Sequence, residues 1–130
     1  MIVLHFLTGT LRQRYSPTGV WISFRELWGG NSFLPAFQET TIKPLVERLK
    51  EDPDGLVRNL VERFKGRIVE GGDVSVELAT FPGVCVRVVM WMGDDELPPE
   101  AVMLFDKGLA DVLSTEDIAV LLLIVSQNAI

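Results

Sequence analysis

Few side chains in this sequence suit chemistry, and their spacing narrows the choice. Arg25 stands in the densest aromatic stretch of the chain, among Trp21, Phe24, Trp28 and Phe33, with Glu26 beside it. Rings bring large buried area and a guanidinium brings a fork of donors, so the combination is favoured in binding surfaces. These residues suit the wall of a ligand pocket or a groove for a partner. They equally suit a structural role, with the tryptophans sealing a core and Arg25 paired to a carboxylate from the acidic second half.

A second group is acidic: Asp94, Asp95, Glu96 and Glu100, with Asp106 a short way on. Carboxylate oxygens ligate hard cations, and two carboxylates with separated pKa values act as acid and base. The group has no Asp-x-Asp-x-Asp-Gly loop with a distal glutamate, and it also reads as a solvated turn after a strand. An enzyme made from these residues gathers Arg25, Asp94, Glu96 and Asp106 around one pocket. The arginine then clamps substrate while the acids move protons or assist through a metal.

The remaining reactive types are scarce. His5 is the one histidine and lies in an apolar run, where it reads as a hydrogen-bonded core residue. Cys85 is the one cysteine, set between Val84 and Val86 in a β-branched run, and reads as a small apolar group. A lone cysteine makes no internal disulfide and completes no zinc or iron–sulfur motif, and it points to a reducing, cytoplasmic setting. Gly29-Gly30 and Gly71-Gly72 lack the glycine spacing of a phosphate loop and read as turns.

Charge restricts the partners. Net charge is −6 over 130 residues; the first 70 carry 10 Lys/Arg against 8 Asp/Glu, and the rest 2 against 10. The two parts therefore stand at +2 and −8. Nucleic acid and anionic membranes both require a basic face, which the second part lacks, so neither is an expected partner. Met1 to Leu11 is apolar, but its first charges, Arg12 and Arg14, follow the run, the reverse of a signal peptide. Ile118 to Ile130, uncharged over 13 residues, falls short of the roughly 20 needed to span a bilayer.

The elements that position these residues follow from periodicity. The spacing predicts a short helix from Ser23 and Glu26, paired as a capping box, that Gly29-Gly30 ends. Two short helical pieces follow from Phe33, the second starting near Thr41 so that Pro44 falls in its first turn. Asp54 is the expected cap of the next helix, whose stripe is Leu56, Val57, Leu60, Val61 and Phe64, with Gly66 as the stop. Alternation over 74–80 and a β-branched apolar run over 84–92 then predict an antiparallel hairpin, with a third short strand over 101–105. Ser114 caps a final helix over 116–127. Helices ahead of a small antiparallel sheet, with no linker between them, predict one α+β domain over 1–130.

Several phrases share one order and spacing with a known family. They are Trp21-Ile22-Ser23-Phe24-Arg25-Glu26-Leu27-Trp28-Gly29-Gly30, then Gly72-Asp73 with Phe81-Pro82, then Trp91-Met92-Gly93-Asp94-Asp95-Glu96-Leu97-Pro98, leading to Leu104-Phe105-Asp106 and Ser114-Thr115-Glu116-Asp117. From about Leu4 to Leu121 the chain resembles the domain family DUF 3786, which has no assigned activity. The resemblance implies a home in anaerobic bacteria or archaea. Some members add a cysteine-rich iron–sulfur segment, which this sequence lacks, and longer ones place more folded sequence ahead of the stretch resembling Met1–Leu11. That apolar stretch requires cover, either from sequence ahead of Met1 or from a second subunit, so a homo-oligomer, a dimer first, is expected. Together these features predict a non-catalytic accessory or binding domain of anaerobic metabolism, engaging a protein partner or small cofactor through the Trp21–Phe33 region. The small enzyme above is the alternative.

Overall fold

Alternation along three successive segments sets the sheet. Val76, Leu78, Val86, Val88, Met90 and Phe105 are fully buried, while Arg87, Cys85 and Leu104 between them are only partly so. Period two places those two sets on opposite faces. The structure, a computed structural model, describes residues 18–27, 30–81 and 84–130. Its strands are β1 (Trp21–Ser23), β2 (Arg67–Val69), β3 (Val74–Phe81), β4 (Val84–Trp91) and β5 (Glu100–Asp106). They form an antiparallel sheet in the order β1-β5-β4-β3-β2. The hairpin and third strand thus stand where the sequence placed them, and the chain is an α+β domain.

Helices cover the apolar face. The described ones are α1 (Gly30–Phe37), α2 (Lys43–Glu51), α3 (Pro53–Arg63), a short α4 (Leu109–Val112) and α5 (Thr115–Ala129). Leu45 and Leu49 of α2, Leu56 and Leu60 of α3, and Ile118 and Leu122 of α5 meet the sheet in one core. Burying each such side chain contributes roughly 1.5–3 kcal/mol. Ser114 caps α5 by accepting from the Asp117 amide at 3.1 Å. The far end of α5 is held by α3, whose Asn59 and Arg63 donate to the carbonyls of Ala129 and Asn128 at 3.0 and 2.8 Å. A cation at that end also complements the helix dipole.

Between α1 and α2 the helical ladder widens into a π turn over Gln38–Ile42. Two local causes meet there. Pro44 cannot donate to the carbonyl four residues back, and its ring would press on it. Thr40 turns its hydroxyl onto the Ala36 carbonyl at 2.8 Å, competing with the backbone. The Thr41 carbonyl accepts from the Ser126 hydroxyl of α5 at 2.7 Å, which fixes the turn to the last helix.

Four local expectations are corrected. Trp21–Ser23 is a strand, and the Ser23/Glu26 pair starts only one 3-10 turn, Phe24–Glu26. Gly30 opens α1 instead of ending a helix. The cap of α3 is Asp52, which accepts from the Gly55 amide at 3.0 Å, because Pro53 takes the first helical position and forces its predecessor out of the helix. β2 was not anticipated; it is three residues long and leaves Ile68 66% exposed, too short and too wet to show a period. Ahead of it Gly66 is obligatory, since a Cβ there would stand 2.7 Å from Val76 Cγ1 and 2.9 Å from the Leu60 carbonyl. The expectations for Met1–Leu11, including His5, fall outside the described residues, as does Trp28.

The cap assignment has a direct test in chemical denaturation. Asp52→Ala is expected to lower stability by about 1 kcal/mol, and Asp54→Ala, which leaves the cap in place, by a few tenths. Equal losses would return the cap to Asp54.

Candidate functional site

A cavity opens where β1 stops. β1 pairs Trp21 with Asp106, Ile22 with Phe105 and Ser23 with Leu104, and then leaves the sheet. Phe24 causes the departure. Its ring is 1% exposed and stacks on Phe37 of α1 with centroids 4.4 Å apart, which pulls the chain up onto the helices. Ala101, Val102 and Met103 of β5 therefore have β4 on one side and, among the described residues, no strand on the other. The space between that bare edge and the helical layer is a groove of about 440 Å3. Small-ligand sites span roughly 300–1,000 Å3.

Leu34, Phe37, Ile42 and Val46 make the helical wall, and Ala101, Val102 and Met103 the sheet wall. Arg25, Gln38 and Glu100 bring the polar groups. Gln38 and Ile42 belong to the π turn, an irregularity often found at functional sites. Arg25 is exposed, and among the described residues no carboxylate or hydrogen-bond acceptor engages it; the same holds for the Glu100 carboxylate. Arg25 therefore presents a full set of donors along a groove whose lining is both polar and apolar.

The other candidate residues lie elsewhere. Trp21 is on the opposite sheet face, its ring 4.2 Å below the Arg87 guanidinium. Phe33 borders a smaller cleft of about 130 Å3 against Val120 and Leu123 of α5. Glu26 accepts from the Ser23 amide at 2.6 Å. Asp94 ties its own turn, accepting from the Glu96 and Leu97 amides, both at 2.8 Å, and these backbone bonds, Leu97 first, hold its carboxyl below the usual range. Asp95 and Glu96 are exposed on that turn. Asp106 is 5% exposed and accepts from the Thr18 amide and hydroxyl, the Gly19 amide and the Gly108 amide at 2.7–2.9 Å. Burial pushes its carboxyl up, but those bonds outweigh it and leave the pKa lowered. Arg25, Asp94, Glu96 and Asp106 thus do not share a pocket. Among the described residues no group of three or more His, Cys, Asp or Glu could hold a metal ion, and no helix is long and apolar enough to cross a membrane.

Sequence reasoning missed a charged row on the outer sheet face. Register sets Arg67, Glu77 and Arg87 side by side on β2, β3 and β4. Glu77 accepts from Arg67 Nε and an Arg67 terminal nitrogen at 2.9 and 2.6 Å, and from Arg87 Nε at 3.0 Å. Arg87 in turn covers Trp21, so the row spans the sheet. Burial of Glu77 raises its pKa, and the hydrogen bonds and charges of Arg67 and Arg87 more than reverse that. Burial likewise pushes the neighbouring Cys85 thiol up, with the Glu77 charge adding to it, away from thiolate chemistry. The signal lay in the spacing of Arg67, Glu77 and Arg87 at intervals of ten, which pairs them only once the hairpins are known.

Glu77→Gln is expected to cost about 1 kcal/mol at neutral pH, because the charge on the acceptor is lost while both guanidinium groups keep access to water. A lowered native pKa means that the contribution is complete above the ordinary glutamate range and is lost as pH falls through the native value. Urea midpoints of the two proteins should therefore converge on acidification; a gap that persists unchanged at low pH would show that the charge is not its source.

A search among curated proteins finds no match to the chain, and a search among solved structures finds none either. A family signature does match, over residues 1–128. The chain belongs to the family described as domain of unknown function (DUF3786).

Proposed function

We propose that this protein is a non-catalytic binding domain, and that the groove between β5 and the α1–α2 segment is where it takes its ligand. The observation that carries this is Arg25, a guanidinium without a partner among the described residues, lining a groove of about 440 Å3 whose helical wall carries Leu34, Phe37, Ile42 and Val46. An arginine in that position favours a planar anion, a carboxylate foremost, attached to an apolar body that fits against Leu34, Phe37 and Val46. The acids that an enzyme would use weigh against catalysis. Asp106 spends both oxygens on its own turns and Asp94 one, and neither residue lines this groove. The setting we propose is the reducing interior of an anaerobe, where the domain serves other proteins of the cell's metabolism. The single cysteine supports a reducing setting.

Heteronuclear NMR of the labelled full chain with hexanoate or benzoate as probe tests the site. Amide shifts are expected at Arg25, Gln38 and Ala101–Met103, and Arg25→Ala should abolish them. Shifts confined to other surfaces, or no shifts at millimolar probe, would overturn the assignment.

The homodimer expected from the apolar sequence of Met1–Leu11 belongs to the same proposal. Native mass spectrometry of protein purified without oxygen should show about twice the 14.5 kDa chain mass. A ligand-free monomer across the micromolar range would remove the dimer and leave the groove untouched.

A further inference from the structure

Apart from the groove, we infer that the turn between β4 and β5 is a docking site for an arginine side chain of a partner protein, received between the Trp91 indole and three carboxylates. A second cavity, of about 230 Å3, lies there, lined by Asp73, Trp91, Asp94, Leu97, Pro98 and Glu100. Leu97 is 66% exposed and Trp91 37%, yet neither sits on slack chain. The Asp94 amide donates to the Leu97 carbonyl at 2.8 Å, and the Asp94 carboxylate accepts from the Glu96 and Leu97 amides in return. Trp91 ends β4 opposite Glu100, and its indole passes close to Gly72, where a Cβ would stand 3.2 Å from Cε2. Asp73 accepts from the Met92 amide at 2.7 Å and so joins the turn ahead of β3 to the end of β4. The glycine at 72 thus lets that turn approach and seat the ring. Bonds that fix a turn while leaving a leucine and an indole in water are the anatomy of a preorganised contact.

Charge selects the occupant. Between Arg87 and Lys107 the chain carries five acids and no Lys or Arg. Asp73, Asp94 and Glu100 each keep an oxygen free among the described residues: Asp73 uses only Oδ2, Asp94 only Oδ1, and Glu100 neither of its own. No described Lys or Arg pairs with any of the three. They also do not form a group able to close on one metal ion. A guanidinium suits them, because it carries five donors in one plane, is more weakly hydrated than an ammonium, and stacks on an indole while its edge meets carboxylates. Its methylene stem, with an apolar neighbour in the partner's sequence, then covers Leu97 and Pro98. A second copy of this chain is a poor occupant, since the part that bears the cavity stands at −8 and repels itself.

Titration of the labelled full chain with the blocked tripeptide acetyl-Leu-Arg-Leu-amide, followed by heteronuclear NMR, tests the site. Shifts are expected at the Trp91 indole N–H and at the Asp73, Gly93 and Leu97 amides. The same peptide with citrulline for arginine keeps the shape and loses the charge, and should bind about tenfold more weakly. A lysine version should bind several-fold more weakly than arginine, and added salt should weaken all charged versions. Leu97→Ser alters an exposed side chain and leaves the backbone bonds of the turn in place; it should weaken binding several-fold, and Glu100→Lys should abolish it. Equal affinity for the citrulline peptide would overturn the guanidinium. Shifts spread over the acidic surface and indifferent to Leu97→Ser would show diffuse attraction and overturn the pocket. No shift at millimolar peptide would overturn the docking site altogether.

Discussion

The buried carboxylate of Asp106 holds the candidate site in place. Its two oxygens collect the amide and hydroxyl of Thr18, the amide of Gly19 and the amide of Gly108. One residue thereby binds the segment that enters β1 and the turn that leaves β5 for α4 and α5. A buried carboxylate is costly unless its lone pairs are filled, and four donors fill them. With Thr18 and Gly19 anchored, Trp21 falls opposite Asp106 and Ser23 opposite Leu104, which determines where β1 ends. Phe24 then inserts beneath Phe37, and the bare edge of β5 begins. The groove is thus the outcome of one register, set by one side chain that takes no part in it.

The two faces of the sheet are stabilised differently. On the inner face aliphatic side chains interlock with three helices, and the free energy follows buried area. On the outer face Glu77 is shared by two arginines from flanking strands, and Arg87 passes the contact on to Trp21. That row ties both ends of the sheet to its centre through directional contacts.

Legibility in the sequence followed the length of each periodic pattern. Alternation from Val74 to Ala79 and a β-branched apolar run from Val84 announced the hairpin, and Ser114 ahead of an apolar run announced α5. β1 and β2, three residues each, carry no period. The Ser23/Glu26 pair suggested a helix because a capping box describes the first turn alone and says nothing about how far it continues. Arg25 and Phe24 were visible as an aromatic and cationic cluster, but Trp21, three residues before Phe24 across a strand break, went to the other face. The groove itself was hidden, because half of it is backbone. A strand edge is defined by the partner that is missing, and no residue type encodes that.

The Asp106 clasp joins residues 88 apart in sequence, whereas β3, β4 and β5 pair with their immediate neighbours. Closing a long loop costs more chain entropy than closing a hairpin, so the meander forms early and β1 docks late. On the ribosome, at about 5–20 residues per second, Thr18 waits several seconds for Asp106 to be made. The groove is therefore among the last features to mature, and a chain caught before that step carries a finished core and an unfinished binding edge.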